Sequence, residues 1–416
     1  MTANKGQHRE PRLVASRGGT RLFSMAALAE RIREEFMLEY RDTEALREAD
    51  APSKRMRLVL AVTDYVIAVE SITMTSDDKA TLMQRVYSEL FGYGALDPFL
   101  ADPRVTTIAL NGAERAAVRY GHNELTDVSP LFEDGDQLQT IIERLLLDAG
   151  ASLRSDSPII ETGLNVGERR ISLSVVTPTF GVSVSADIRL HPQSPPSLDA
   201  LVEQGVLSAE AADVLRRLAA SNYGLVIAGE AETGKTTLMN ALALKYVGGG
   251  AAVERTGEMR LPESFARFQP TWGRDDSSPV AFGERLIESL NVTPPLLMVD
   301  EVRADDPTAV APLLRREDAP RQWWVFRGAP DHKRLQSALG MLARRAESGA
   351  GETLVHALYE RLPFVISVAR IQGRLKLFSI AEWQSRIDTD YPDYVQLFRY
   401  DQGMARRTEA LFARWL

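Results

Sequence analysis

The segment from Val226 to Leu242, VIAGEAETGKTTLMNAL, carries residue types at a spacing suited to holding phosphates. Gly229, Glu230, Ala231, Glu232, Thr233, Gly234, Lys235 and Thr236 spell G-x-x-x-x-G-K-T, and Thr237 follows. Small residues let such a loop fold tightly, so that its N–H groups and those of the helix start point inward at phosphate oxygens. Lys235 supplies a point charge to the β- and γ-phosphates, and the Thr236 hydroxyl is a ligand for Mg²⁺. A chance match in a chain of this length is on the order of one percent. The flanks lower that further: LVIAG reads as a strand and TTLMNALALKY as an amphipathic helix.

A second motif follows at a suitable distance. PLLMVDEVR reads as a buried strand ending in Asp300 and Glu301. Asp300 is placed to hold Mg²⁺ through water, and Glu301 to polarise an attacking water, a role that needs a carboxylate just past a strand end. Paired acids closing a strand are often only a solvated turn; the preceding phosphate loop is what favours the chemical reading.

These motifs need a scaffold, and 416 residues predict two or three domains. An apolar fraction of 44% and a charged fraction of 25% are those of a soluble globular protein. No apolar run approaches the ~18 residues needed to span a bilayer, and no signal-peptide core is evident. The absence of cysteine excludes disulfides, thiolate metal sites and cysteine nucleophiles, and fits a cytoplasmic chain. The five histidines show no metal-binding spacing. A net charge of −8 argues against a general nucleic-acid coat.

Residues 1–21, with Lys5, Arg9, Arg12, Arg17 and Arg21, read as a disordered basic tail, either a solvated leader or a contact for anionic lipid or a partner. Residues 22–90 have helical periodicity. Residues 91–190 alternate short strands with the helix LQTIIERLLLDAG and form a small α+β domain, and HPQSPPS at 191–197 reads as a linker. Residues 198–416 alternate strands and helices. The expected fold class is therefore α/β, a P-loop domain with a mostly parallel sheet covered on both faces, behind an α+β domain and a helical segment. No internal repeat is visible.

The order of motifs resembles the type II/IV secretion-system ATPases, and among them the Tad/Flp-pilus assembly (CpaF-type) branch. The resemblance runs over roughly residues 80–400. It is carried by FGYGALDPFLADPRVTTIALNG, ADIRLHP, the segment from SLDALVEQGV through the P-loop, and LPFVISVARIQGRLKLFSIAEW with YVQLFRYD. It implies a RecA-like domain, a homohexameric ring, ATP with Mg²⁺ at the domain junction, and inner-membrane platform proteins of a pilus or secretion system as partners. It implies a cytoplasmic chain peripheral to the inner membrane, and no nucleic-acid partner is expected. Glu254 and Glu258 match an acidic box that helps place water and metal, with Arg255 where an intervening acid is usual. Arg303 matches the arginine after the second motif. Arg189, and either Arg169 or Arg170, match arginines that reach the triphosphate from the N-terminal domain.

Two departures bear on hydrolysis. Arg327 in QWWVFRGAP stands where the family has a histidine, and His332 lies five residues later. The segment before PLLMVDEVR, where the family carries arginines, holds Asn291 and Thr293. Losing an arginine-type stabiliser costs ~10³–10⁵ in rate, roughly 4–7 kcal/mol of barrier, although Arg327 itself brings charge back. Two readings follow: an active ring ATPase, with Glu301, Glu254, Glu258, Arg303 and Arg327 as candidate catalytic residues, or a nucleotide-binding, hydrolysis-poor regulatory paralogue. A nucleic-acid translocase on the same core is disfavoured by the acidic charge and the lack of an aromatic-interleaved basic stripe.

Overall fold

Leu225–Gly229, LVIAG, is apolar throughout because it is buried at every position, as expected of a central strand covered on both faces. In a computed structural model the chain is described over residues 13–15, 22–121, 123–153, 158–177, 183–273, 278–385 and 391–414. It divides into two compact units, Met1–Asp102 and Pro103–Leu416.

In the first unit β1 (Leu13–Ala15) pairs antiparallel with β2 (Leu22–Ser24). Helices α1 (Met25–Tyr40), α2 (Glu44–Glu48), α3 (Pro52–Val69), α4 (Ser76–Phe91) and α5 (Asp97–Ala101) follow. Leu28, Ile32, Phe36, Val59, Val62, Leu82 and Val86 form a shared core at helical spacing. Lys5, Arg9, Arg12, Arg17 and Arg21 of the expected basic tail lie outside the described residues, whereas Leu13–Ala15 is a strand.

The second unit contains two sheets. One comprises β3 (Val105–Asn111), β4 (Arg115–Tyr120), β5 (Thr126–Val128), β6 (Ile159–Val166), β7 (Arg169–Val176) and β8 (Ser185–Leu190), in the order β5-β4-β3-β8-β7-β6 with antiparallel pairing, beside helix α6 (Gly135–Asp148).

The chain then runs through α7 (Leu198–Glu203), α8 (Ala209–Ala220), β9 (Leu225–Gly229), α9 (Lys235–Ala243), β10 (Gly250–Glu254), β11 (Phe265–Phe268), α10 (Phe282–Asn291), β12 (Leu296–Val302) and α11 (Ala311–Arg315). It ends in β13 (Arg321–Arg327), α12 (His332–Ala346), α13 (Gly351–Arg361), β14 (Phe364–Ile371), β15 (Arg374–Gln384), β16 (Asp393–Asp401) and β17 (Met404–Arg407). Strand order is β11-β10-β12-β13-β9-β14-β15-β16-β17, parallel from β11 to β14 and antiparallel beyond. This is the expected α/β class with a mostly parallel sheet.

Alternation along the strands builds a core on each face. Leu225, Ile227, Met298, Trp323 and Val325 pack with Leu215, Leu218, Leu238 and Met239 on one side. Val226, Ala228, Val299, Trp324 and Phe326 pack with Leu286, Leu339 and Leu358 on the other. Parallel pairing brings the carboxyl ends of β10, β12, β13 and β9 to one edge, where ligands bind in open α/β sheets. Registers Glu254↔Asp300 and Arg327↔Gly229 thus gather residues distant in sequence. Among the described residues no helix is long and apolar enough to cross a membrane.

Candidate functional site

The loop between β9 and α9 is shaped by its own residues. Gly234, at the helix N-cap, has φ 86°, a left-handed conformation that costs glycine little. Glu232 is also left-handed, at φ 58°. Thr233 Oγ1 donates to the Glu230 carbonyl at 2.8 Å, and Lys235 Nζ donates to the same oxygen at 2.7 Å. Lys235 is only 7% exposed. Burial pushes its ammonium pKa down, while the nearby Glu301 and Asp300 oppose the shift.

Carboxylates crowd the start of α9. Thr236 Oγ1 donates to Glu258 Oε1 at 2.7 Å and lies 3.5 Å from Asp300 Oδ1. Asp300 is 3% exposed. Burial drives its carboxyl well above the ordinary range, the charges of Glu258, Glu301 and Glu254 push it further, and Lys235 opposes. So much buried negative charge around hydroxyl and carboxylate oxygens suits a hard divalent cation. Among the described residues no group of three His, Asp or Glu side chains is set to hold a metal ion.

Glu301 is bracketed by cations: Arg303 Nη2 lies 3.7 Å from Oε2 and Arg327 Nε 4.0 Å from Oε1. Arg327 ends β13 with its side chain 52% exposed. Arg303 is anchored from the other side by Glu161 of β6, through two hydrogen bonds of 2.8 Å. Glu254 has a different environment. It is fully buried, its Oε1 accepts from Met259 N at 2.7 Å, and its Oε2 accepts from Arg267 Nε and Nη2 at 2.9 and 2.6 Å. It therefore closes the loop that carries Glu258 and has no oxygen turned to Thr236.

The antiparallel sheet covers this edge. Thr107 on β3 stands opposite Arg119 on β4 and Arg189 on β8, placing three polar side chains in a row. They face Glu232 of the loop: Arg119 forms an ion pair with it, Arg189 Nε lies 3.8 Å away, and Thr107 Oγ1 donates at 3.3 Å. Arg370 Nη2 donates to the Glu232 carbonyl at 3.2 Å. A cavity of about 190 Å³ lies between the sheet and the loop, lined by Arg119, Arg189, His191, Lys235, Thr236 and Glu301 among others.

Of the sequence candidates, Arg189 reaches this cavity. Arg169 instead bonds the carbonyls of Val105 and His191, and Arg170 bonds those of Gly257 and Thr256 at 3.0 and 2.7 Å. His332 opens α12 and stacks on Tyr394. Asn291 and Thr293 precede the amino end of β12, opposite to the end bearing Asp300.

Sequence reasoning missed Arg119, Arg370, Glu161 and His191. His191 was assigned to a linker, yet its Nε2 lies 2.6 Å from Ser172 Oγ and 3.1 Å from Glu258 Oε2. Burial lowers its pKa and Glu258 opposes this. The alternation of AAVRYG sets Arg119 on the face opposite to Ala116 and Val118, but only pairing with Thr107 brings it beside Arg189.

No family model matches the chain. An uncharacterised protein of Methanocaldococcus jannaschii is 25% identical over 244 residues, 58% of this chain and 44% of its own length. A Mycobacterium tuberculosis protein named for conjugal transfer is 28% identical over 161 residues, 37% of this chain and 45% of its own. The chain thus spans less than half the length of these curated relatives. Among solved structures, the Legionella pneumophila ATPase DotB overlaps with TM-score 0.48 at 14% identity, covering 70% of this chain and 80% of that one. The pilus retraction motor PilT with bound ADP overlaps at 0.46 and 17%, covering 66% and 78%. The VirB11 ATPase of the Brucella suis type IV secretion system, in complex with sulphate, overlaps at 0.34 and 18%, covering 71% and 97%. The fold assignment stands on strand order and loop geometry rather than on these overlaps.

Proposed function

We propose that the chain binds Mg-ATP at Gly229–Thr237 and hydrolyses it. The observation that carries this reading is the convergence of Lys235, Thr236, Glu258, Asp300 and Glu301 at the carboxyl ends of β9 and β12, under Arg119 and Arg189. In it the loop N–H groups and Lys235 hold the β- and γ-phosphates. Thr236 and Asp300 hold Mg²⁺, which when bound neutralises phosphate charge. Glu301 orients water and accepts its proton, Arg303 fixes the Glu301 carboxylate, and Glu161 fixes Arg303. Glu258 and His191 orient the Thr236 hydroxyl, and Glu254 positions their loop. Arg189 and Arg119 meet the γ-phosphate from the antiparallel sheet.

On the sequence resemblance to secretion ATPases of the Tad/Flp-pilus type, we place residues 198–416 as the motor domain of a homohexamer. It works on the cytoplasmic face of the inner membrane with platform proteins of a pilus or secretion system, using ATP turnover to drive domain motion. A second reading, a hydrolysis-poor regulatory paralogue, is favoured by Arg327, which stands half-exposed at the strand end where the family has histidine.

Calorimetry with Lys235→Ala and a steady-state phosphate-release assay with Glu301→Gln test the proposal. Lys235→Ala is expected to lose measurable Mg-ATP binding with an unchanged far-UV spectrum. Undiminished affinity there overturns it. Turnover that is absent in wild type while binding persists selects the regulatory reading.

A further inference from the structure

Behind the loop that carries Glu258, away from the nucleotide cavity, lies a second cavity of about 350 Å³ lined by Asn165, Arg170, Gly257, Arg260, Arg267 and Gln269. Three guanidinium groups meet there. Among the described residues Glu254 is the one carboxylate paired with any of them, and it pairs with Arg267. The cluster therefore carries an excess of about two positive charges. Arg170 spends its Nε and Nη2 on the carbonyls of Gly257 and Thr256. Arg260 is different, since its buried Nε and Nη2 have no hydrogen-bond partner. Buried guanidinium donors without partners are costly and are normally met by an anion.

The walls are built closely around this space. Gly257 has φ +67°, and a Cβ there would collide with Gln269 Nε2 and Arg170 Nη2. Burial, together with the charges of Arg267 and Arg260, pulls the Arg170 pKa down, the response of a cation lacking sufficient counter-charge. A single carboxylate would supply one negative charge against this excess of two. A phosphate group supplies about 1.5 to 2 near neutral pH, together with acceptor oxygens for several donors at once. Guanidinium also matches phosphate geometry better than ammonium does.

We infer that Arg170, Arg260, Arg267 and Gln269 form a second anion site that takes a phosphate dianion, either free phosphate or the phosphomonoester of a small ligand. Its position gives it a route to the first site. Arg170 and Arg267 both grip the Gly257 carbonyl, one residue before Glu258, whose carboxylate holds Thr236. The Arg260 N–H donates to Asn240 Oδ1 on α9 at 2.9 Å. Occupation thus tightens the segment that sets the Thr236 hydroxyl.

The test uses the full chain carrying Lys235→Ala, which silences the phosphate loop, so the second site is read whether or not Lys235 meets a nucleotide. Inorganic phosphate and glycerol phosphate are titrated separately by calorimetry at constant ionic strength. One saturable site per chain is expected. Binding of phosphate alone assigns the site to the free ion, and binding of both assigns it to phosphomonoesters. Adding Arg260→Gln should weaken binding about tenfold or more, the scale of one charge-assisted hydrogen bond, and folding should survive because no hydrogen bond to that side chain is lost. Gln269→Glu supplies a built-in anion, so it should raise the melting temperature while abolishing phosphate binding. No saturable heat with either titrant, or unchanged affinity in both added variants, overturns the inference.

Discussion

The Thr236 hydroxyl donates to Glu258 Oε1 at 2.7 Å while Asp300 Oδ1 stands 3.5 Å away, so one side chain of the phosphate loop joins two carboxylates from separate strand ends. Bringing them together without a cation is unfavourable, and Asp300, the more buried, carries the strain as a raised pKa.

Asp300→Asn should therefore stabilise the ion-free protein. A carboxyl whose folded pKa is raised contributes stability that is fully present below its unfolded value and is lost as pH rises through the folded value. Measured at pH 8 in chelator, the variant should be more stable than wild type by on the order of 1–3 kcal/mol. At pH 5 the gap should narrow, the direction that a raised carboxyl pKa requires. Mg-ATP should then raise the melting temperature of wild type more than that of the variant. Denaturant melts at both pH values decide this; a variant less stable than wild type at pH 8, with the same gap at pH 5, is the contrary result.

Glu232 offers a second handle. Burial pushes its carboxyl up, but the bond from Arg119 and the charges of Arg119 and Arg189 outweigh this and hold its pKa low. In this arrangement a loop carboxylate occupies the arginines that would otherwise meet a γ-phosphate. Glu232→Gln should cost about 1 kcal/mol of stability and tighten ATP binding roughly threefold to tenfold, the range of one hydrogen bond to a charged group. ADP should gain less. Weaker ATP binding in this variant would show that Glu232 assists the nucleotide rather than competing with it.

The strand–loop–helix around Gly229–Thr237 and the strand bearing Asp300 and Glu301 were legible because each is local: a few residues at fixed spacing, with flanks whose apolar pattern names the element. The parallel sheet was legible for the same reason, since buried strands such as LVIAG and LLMV are continuous apolar runs. What was not legible depends on register. Arg119 and Arg189 become neighbours only because both pair opposite Thr107. Glu161 is 142 residues from Arg303 along the chain and carries no local mark of its role. His191 looked like linker because prolines follow it, yet it stands one residue past β8 with its N–H donating to the Arg170 carbonyl at 3.0 Å. Asn291 and Thr293 are close in sequence to Asp300 but lie before the amino end of β12, at the opposite end of that strand.

The arginines of β7 and β8 separate into different tasks, and substitution should resolve them. Arg189→Ala should weaken ATP more than ADP, because its side chain faces the cavity beside Glu232. Arg170→Ala should leave both affinities within about threefold and act on Mg²⁺ dependence instead, since it frees the carbonyls of Thr256 and Gly257 next to Glu258. Arg169→Ala, which releases the backbone carbonyls of Val105 and His191, should act mainly on stability. Competition binding of ATP and ADP against a fluorescent nucleotide reads all three. An equal loss for both nucleotides in Arg189→Ala would remove it from the γ-phosphate.

The last prediction concerns Glu301 and Arg327. Glu301 is the carboxylate closest to a water-activating role: it follows Asp300 on β12, lines the cavity, and is held between Arg303 and Arg327. Glu301→Gln keeps the shape and most hydrogen bonds but removes the charge and basicity, so binding should survive and turnover should fall by ~10² or more. Glu254→Gln should lower turnover less and stability more, because both Glu254 oxygens are committed to Met259 and Arg267. Arg327 sits 4.0 Å from Glu301 with half its side chain in solvent. If it serves the phosphates, Arg327→His slows hydrolysis. If it merely occupies the histidine's place and draws Glu301 away from water, the same change speeds hydrolysis. Unchanged turnover would remove Arg327 from the site. The position at the end of β13, in register with Gly229, favours the first outcome. Single-turnover phosphate release by wild type, Arg327→His and Glu301→Gln, at saturating ATP, separates the three.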